Sequence, residues 1–120
     1  MSESELLSAI PELPVDDLAK NIAFYRDRLG FEVAFEWDPI AGVQRGPVLI
    51  HLVPHADPTS PHPRSLRVDV RGVDVLYGEL ESQSVLDPDD PLETKPWGMR
   101  QFGVTDPAGN RIVFAEPAQS

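Results

Sequence analysis

Apolar residues recur along the chain with two periods. Leu18, Ile22, Tyr25 and Leu29 follow one another at helical spacing. Asp16 precedes them as the expected N-cap, and Gly30 stands where a left-handed C-cap is wanted. Around this helix the period shortens to two. Ser8–Val15 reads as a strand, and in Phe31–Trp37 the residues Phe31, Val33, Phe35 and Trp37 alternate with Glu32, Ala34 and Glu36. Val48–Val53 reads as a strand of buried type. The second half repeats the plan. Leu66, Val68 and Val70 share one face of a strand, with Arg67 and Asp69 on the other. A helix is expected from Gly72 to about Gln83, carrying Val73, Leu76, Tyr77 and Leu80. Met99–Thr105 and Arg111–Ala115 are then two strands joined by Asp106-Pro107-Ala108-Gly109-Asn110, a composition suited to a tight turn.

The breaks support this division. Thirteen prolines punctuate 120 residues. The densest stretch, His55–Arg64, reads as a linker between the halves, and Asp87–Pro96 as a second loop. Laying Val15-Asp16-Asp17-Leu18 over Val70-Arg71-Gly72-Val73 aligns Ile22 with Tyr77 and Tyr25 with Leu80. The expected organisation is one α+β domain over residues 1–120. It comprises two βαβββ units, residues 8–54 and 65–117, with Pro117–Ser120 as a loose tail.

Composition narrows the chemistry. The chain has no cysteine, which excludes disulfides, thiolate nucleophiles and cysteine-based zinc sites. Ten basic against twenty acidic side chains give a formal charge of −10. Such a surface repels phosphate backbones, so no nucleic-acid partner is expected, and it favours approach of cationic ligands. The plainer role of the charge is solubility. No apolar run approaches the roughly 20 residues of a membrane span, and Met1 to Ser8 is polar and acidic. The expectation is a cytoplasmic protein with no membrane partner.

Two motifs carry a resemblance. Pro14-Val15-Asp16-Asp17-Leu18 followed by Phe24-Tyr25-Arg26-Asp27-Arg28-Leu29-Gly30-Phe31 resembles the opening of the vicinal-oxygen-chelate superfamily, which unites glyoxalases, bleomycin-resistance proteins and dioxygenases. Lys95-Pro96-Trp97-Gly98 followed by Thr105-Asp106-Pro107-Ala108-Gly109-Asn110 resembles its close. The Pro-Trp-Gly element, Val70-Arg71-Gly72-Val73-Asp74 and Ala41-Gly42-Val43 are most similar to the bleomycin-resistance branch. The resemblance runs from about Ala9 to Glu116. It implies strands curling into an open cup, a mixed sheet with helices outside, and a homodimer with ligand sites between subunits.

Metal-dependent members of the superfamily hold a divalent ion with His and Glu ligands from four strands. The matching positions here are Ile10, Ser65, Val113 and either His51 or its neighbour Ile50. At most one of the four is a donor, and a lone imidazole cannot retain a catalytic metal. A different set, Glu12, His51 and Asp69, points into the cup by strand parity, but its spacing matches no recognised ligand pattern. His55 and His62 fall in the proline-rich stretch and read as solvated. The expectation is therefore no metal and no cofactor.

Without a metal, the cup is a cavity walled by side chains, and small-molecule sites combine aromatic walls with a few polar groups. The resemblance puts Phe35, Trp97 and the inward face of the Val48–Val53 strand at the site. Parity adds Trp37, His51, Arg67, Asp69 and Met99. A flat ligand could stack on Trp97, with Asp69 or Glu12 pairing a cationic group. Each residue has a plainer role: Phe35 in the core, Trp37 capping a strand end, His51 a satisfied strand histidine, Trp97 a plug, Arg67 and Asp69 a cross-strand ion pair. Bleomycin-resistance proteins carry tryptophans on the strand matching Arg67 and Asp69. The charges here point to a smaller ligand, or one with an anionic group that Arg67 could meet.

Three functions follow. The favoured one is a metal-free protein that sequesters an antibiotic-like or metabolite molecule, because no nucleophile–base pair is visible. The alternatives are a glyoxalase- or dioxygenase-like enzyme with a rearranged metal site, and an interaction module whose cup is filled by its own side chains.

Overall fold

The computed structural model describes residues 3–55 and 63–118. Most of the His55–Arg64 stretch, His62 included, lies outside the described residues, as do Gln119 and Ser120. In chain order the elements are β1 (Glu12–Val15), α1 (Leu18–Ala23), β2 (Glu32–Trp37), β3 (Ile40–Arg45), β4 (Val48–Pro54), β5 (Ser65–Asp69), α2 (Val73–Glu81), β6 (Glu93–Thr94), β7 (Met99–Thr105) and β8 (Arg111–Pro117). A π-helical turn, Phe24–Arg28, extends α1. The strands form two open four-stranded mixed sheets of identical plan, ordered β1-β4-β3-β2 and β5-β8-β7-β6. In each, the outer first strand pairs in parallel with the last, and the other pairs are antiparallel.

One face of each sheet meets a helix. Leu13, Val15, Ala41, Val43, Ile50 and Leu52 of the first sheet join Ile22 and Tyr25 in a core. Phe102, Val104, Ile112 and Phe114 of the second sheet join Leu76 and Leu80 in the same cluster. The opposite faces form the cup, and everything that positions the site follows from this parity.

Several expectations are corrected. The first strand begins at Glu12, not Ser8. Pro11 lacks an N–H and contributes only its carbonyl, which accepts from His51 N at 3.0 Å. The N-cap of α1 is Asp17, whose side chain accepts from Lys20 N, rather than Asp16. Strand β3 is the strand that the βαβββ plan requires but the apolar pattern does not locate, because Gly42 interrupts its apolar run. Within the expected Asp87–Pro96 loop lies the two-residue strand β6. Gly30 does take the left-handed conformation, at φ 76°.

The alternation of Phe31–Trp37 is also broken. A β-bulge shifts the register between Val33 and Phe35: Val33 pairs with Val43, but Phe35 pairs with Gly42. Val33 thus shares the helix face with Val43, whereas Phe35 and Trp37 turn to the cup. One inserted residue converts a single apolar face into two.

Both halves are bolted together by a buried polar cluster. The Tyr25 hydroxyl donates to Asp106 Oδ2 at 2.7 Å, and Asn110 Nδ2 donates to Pro14 O at 2.9 Å and to Asp106 Oδ2 at 3.0 Å. Asp106 Oδ1 accepts from the backbone N–H groups of Ala108 and Asn110. Burial pushes the Tyr25 phenol far above its ordinary range, and the adjacent Asp106 carboxylate adds to the effect.

Candidate functional site

The register places a row of side chains across the first sheet: Phe35 on β2, Gly42 on β3, His51 on β4 and Glu12 on β1. Gly42 is what lets the row form. A Cβ there would overlap the Phe35 ring, so the ring lies directly over the glycine backbone. From that seat it meets the His51 ring edge-on, with centroids 5.1 Å apart and planes at 89°. Trp37 ends the same strand on the same face and is 77% exposed.

The equivalent row of the second sheet runs through Gly103 on β7, Val113 on β8 and Arg67 on β5. Gly103 corresponds to Gly42, and its seat is also taken. Here the occupant is the Asp90 carboxylate, from the loop before β6. Gly103 N donates to Asp90 O at 3.1 Å, and Arg111 Nε donates to Asp90 Oδ2 at 2.6 Å. Next to this row, Arg67 and Asp69 form an ion pair of 3.1 Å. Both stand on one strand, two residues apart, so this is an in-strand pair and not the cross-strand one that parity allowed.

The structure therefore brings Phe35 together with His51, and Arg67 with Asp69. Arg67 and Asp69 also line a cleft of about 300 Å³ with Pro11 and Leu49. Met99 opens β7 on the cup face, in step with Gln101 and Gly103. Trp97 lies in the turn between β6 and β7, where Gly98 N donates to Lys95 O. It is 66% exposed, with Lys95 Nζ 5.9 Å from its ring centroid, so it plugs nothing. Asp90, Arg111 and the two glycine seats escaped the sequence reading. The available signal was a lone glycine inside each of two apolar strands.

The same rows test a metal site. His51 and Val113 occupy equivalent places on the cup face, whereas Ile50 points into the core and is fully buried. The position left open between His51 and Ile50 is thus His51. The other three places hold Ile10, Ser65 and Val113. Among the described residues, no three His, Asp or Glu side chains converge to hold an ion. These residues do not fit a chelated divalent metal.

Paired βαβββ units whose open sheets present a walled concave face define a class of two-module cup proteins. The chain belongs to the Glyoxalase/Bleomycin resistance protein/Dioxygenase superfamily, whose family model matches residues 8–114. It is 33% identical to a bleomycin resistance protein of Geobacillus stearothermophilus, over 96% of this chain and 100% of that protein. Among solved structures it is similar to the bleomycin-binding protein from bleomycin-producing Streptomyces verticillus complexed with copper(II)-bleomycin. That match has 30% identity and a TM-score of 0.80, covering 98% of this chain and 100% of that one. An antibiotic binding protein from Streptomyces sp. CB03234 matches at 26% identity and a TM-score of 0.75, covering 98% and 99%. No helix among the described residues is long and apolar enough to cross a membrane.

Proposed function

We propose that this protein sequesters an antibiotic-like small molecule in its cup and releases it unchanged. The observation that carries this reading is the pair of equivalent rows, which offer an aromatic wall (Phe35, His51) and an ionic wall (Arg67, Asp69) where a chelating site would need converging donors. Full-length similarity to bleomycin resistance proteins supports it. Phe35, Trp37, His51, Arg67, Asp69, Trp97 and Met99 are the proposed ligand contacts. No cofactor takes part. The working form is a cytoplasmic homodimer, in which a second subunit closes the cup over the exposed Trp37 and Trp97.

Titration with bleomycin and a panel of other antibiotics, followed by tryptophan fluorescence and thermal melting, tests the proposal. Binding quenches or shifts the emission. At a hundredfold excess over Kd, it also stabilises the fold by about 2.7 kcal/mol. A silent response across the panel, or turnover of any ligand into product, overturns the reading. Light scattering checks the dimer against the 13.3 kDa chain mass.

A further inference from the structure

We propose that the protein carries a second small-molecule site, on the helix side of the sheets, for a compound with an apolar body and one anionic group. A cleft of about 370 Å³ lies there, at the small end of the roughly 300–1,000 Å³ typical of ligand pockets. Its wall combines Phe31 and Val48 of the first half with Val68, Leu76 and Phe114 of the second. Phe31, Leu76 and Phe114 belong to the buried core, so they give it a firm apolar floor.

Strand parity sets the floor of this cleft apart from the cup, and Asp69 alone of the proposed cup contacts stands at its rim. Val48 stands on the same face of β4 as Ile50 and Leu52, opposite His51. Val68 and Phe114 are cross-strand partners on the helix face of the second sheet, opposite Arg67 and Val113. Each cup row therefore has a sheet between it and the cleft floor. On the outer rim, Val75 of α2 is 77% exposed, an apolar side chain with no cover of its own.

The charges around the rim select the ligand. Arg45 closes one end by a two-pronged pair with Glu79, at 2.9 and 3.0 Å, and the two neutralise each other. Asp69 is matched by Arg67. Arg71 lines the cleft as well, and among the described residues no carboxylate lies within 4.0 Å of its guanidinium. A guanidinium stays charged at any pH a protein survives, and its fork matches a carboxylate or sulfonate. The net charge of −10 opposes an anion at long range, but that field is screened beyond about 8 Å at physiological salt. Contact with the apolar floor and with Arg71 then decides binding.

Calorimetric titration of the full chain with decanoate, and with decanol as its uncharged counterpart, tests the site. Decanoate binds about tenfold more tightly than decanol. Arg71→Gln abolishes that difference while Arg71→Lys keeps most of it, and Val75→Glu weakens decanoate more than tenfold. Both positions are exposed, so these variants keep the fold. Trp97→Ala and the double variant Leu6→Ser/Leu7→Ser leave decanoate binding unchanged. No binding of decanoate, equal binding by Arg71→Gln, or loss of binding in Trp97→Ala overturns the proposal. So does a marked gain in Leu6→Ser/Leu7→Ser, which would make the chain's own exposed leucines the occupant.

Discussion

Replacing Tyr25 by Phe removes one oxygen atom from the buried cluster that joins the halves. The ring keeps its edge-on contacts with Phe24 and Phe31, at 5.5 and 5.8 Å, so no cavity opens. What is lost is the 2.7 Å hydrogen bond to Asp106 Oδ2. Hydrogen bonds to charged groups contribute about 1.5–3 kcal/mol. Oδ2 still accepts from Asn110 Nδ2, and Oδ1 from two backbone N–H groups, which places the loss near 2 kcal/mol. For 120 residues the unfolding entropy is about 0.25 kcal/mol/K, so the melting temperature falls by about 8 °C.

The same contact has a signature in base. Burial raises the Tyr25 pKa in the folded state above its ordinary value of 10.0. A raised pKa means that the stabilisation is complete below pH 10 and is lost above it, where the unfolded chain releases a proton that the folded chain retains. Wild type then loses about 1.4 kcal/mol more per pH unit than Tyr25→Phe, and the gap between them narrows. Tyr77 is common to both and cancels in the comparison. Urea unfolding at neutral pH and at pH 11 measures both effects. A neutral-pH loss under 0.5 kcal/mol, or a gap that stays constant in base, refutes the reasoning.

Two further substitutions probe the seats and the caps. Gly42→Ala forces the Phe35 ring off β3, so any cup ligand that contacts the Phe35–His51 wall binds about tenfold more weakly, checked by fluorescence titration; unchanged affinity would mean that the ring is no part of the site. Glu116 caps α2 from a neighbouring strand, its two carboxylate oxygens accepting from Gly72 N at 3.1 Å and Val73 N at 2.8 Å. Glu116→Ala then costs about 1 kcal/mol in chemical denaturation, while Glu116→Gln retains part of it.

Local patterns carried much of the architecture. The helical spacing from Leu18 to Leu29, the alternation at Leu66–Val70 and the turn at Asp106–Asn110 each record a repeat or a turn chemistry within a few residues. What they missed depends on partners far along the chain. The bulge at Ala34 is one residue long, yet it decides that Phe35 faces the cup and Val33 does not. Tyr25 fits a plain apolar helix position, and only the fold shows its hydroxyl meeting Asp106, 81 residues away. Asp90 sits in a stretch whose composition says loop, and its place over Gly103 comes from β7. Charge and parity did put Arg67 and Asp69 on one face, but whether they would pair with each other or across strands depended on rotamers that no periodicity encodes.

The duplicated plan explains how one backbone makes two unlike walls. In each half the middle strand of the cup carries a glycine at the same place, and the empty volume above it must be filled, because a void forfeits contacts on one side. In the first half the filler is a ring from the adjacent strand, which meets His51 edge-on and leaves the wall aromatic. In the second half β6 is only two residues long, so no side chain of that strand reaches Gly103 and a loop carboxylate enters instead. A carboxylate largely withdrawn from water needs a partner, and Arg111 supplies it. The charged pair over Gly103 thus follows from the shortness of a strand, whereas the Arg67–Asp69 pair stands on β5 and is independent of it.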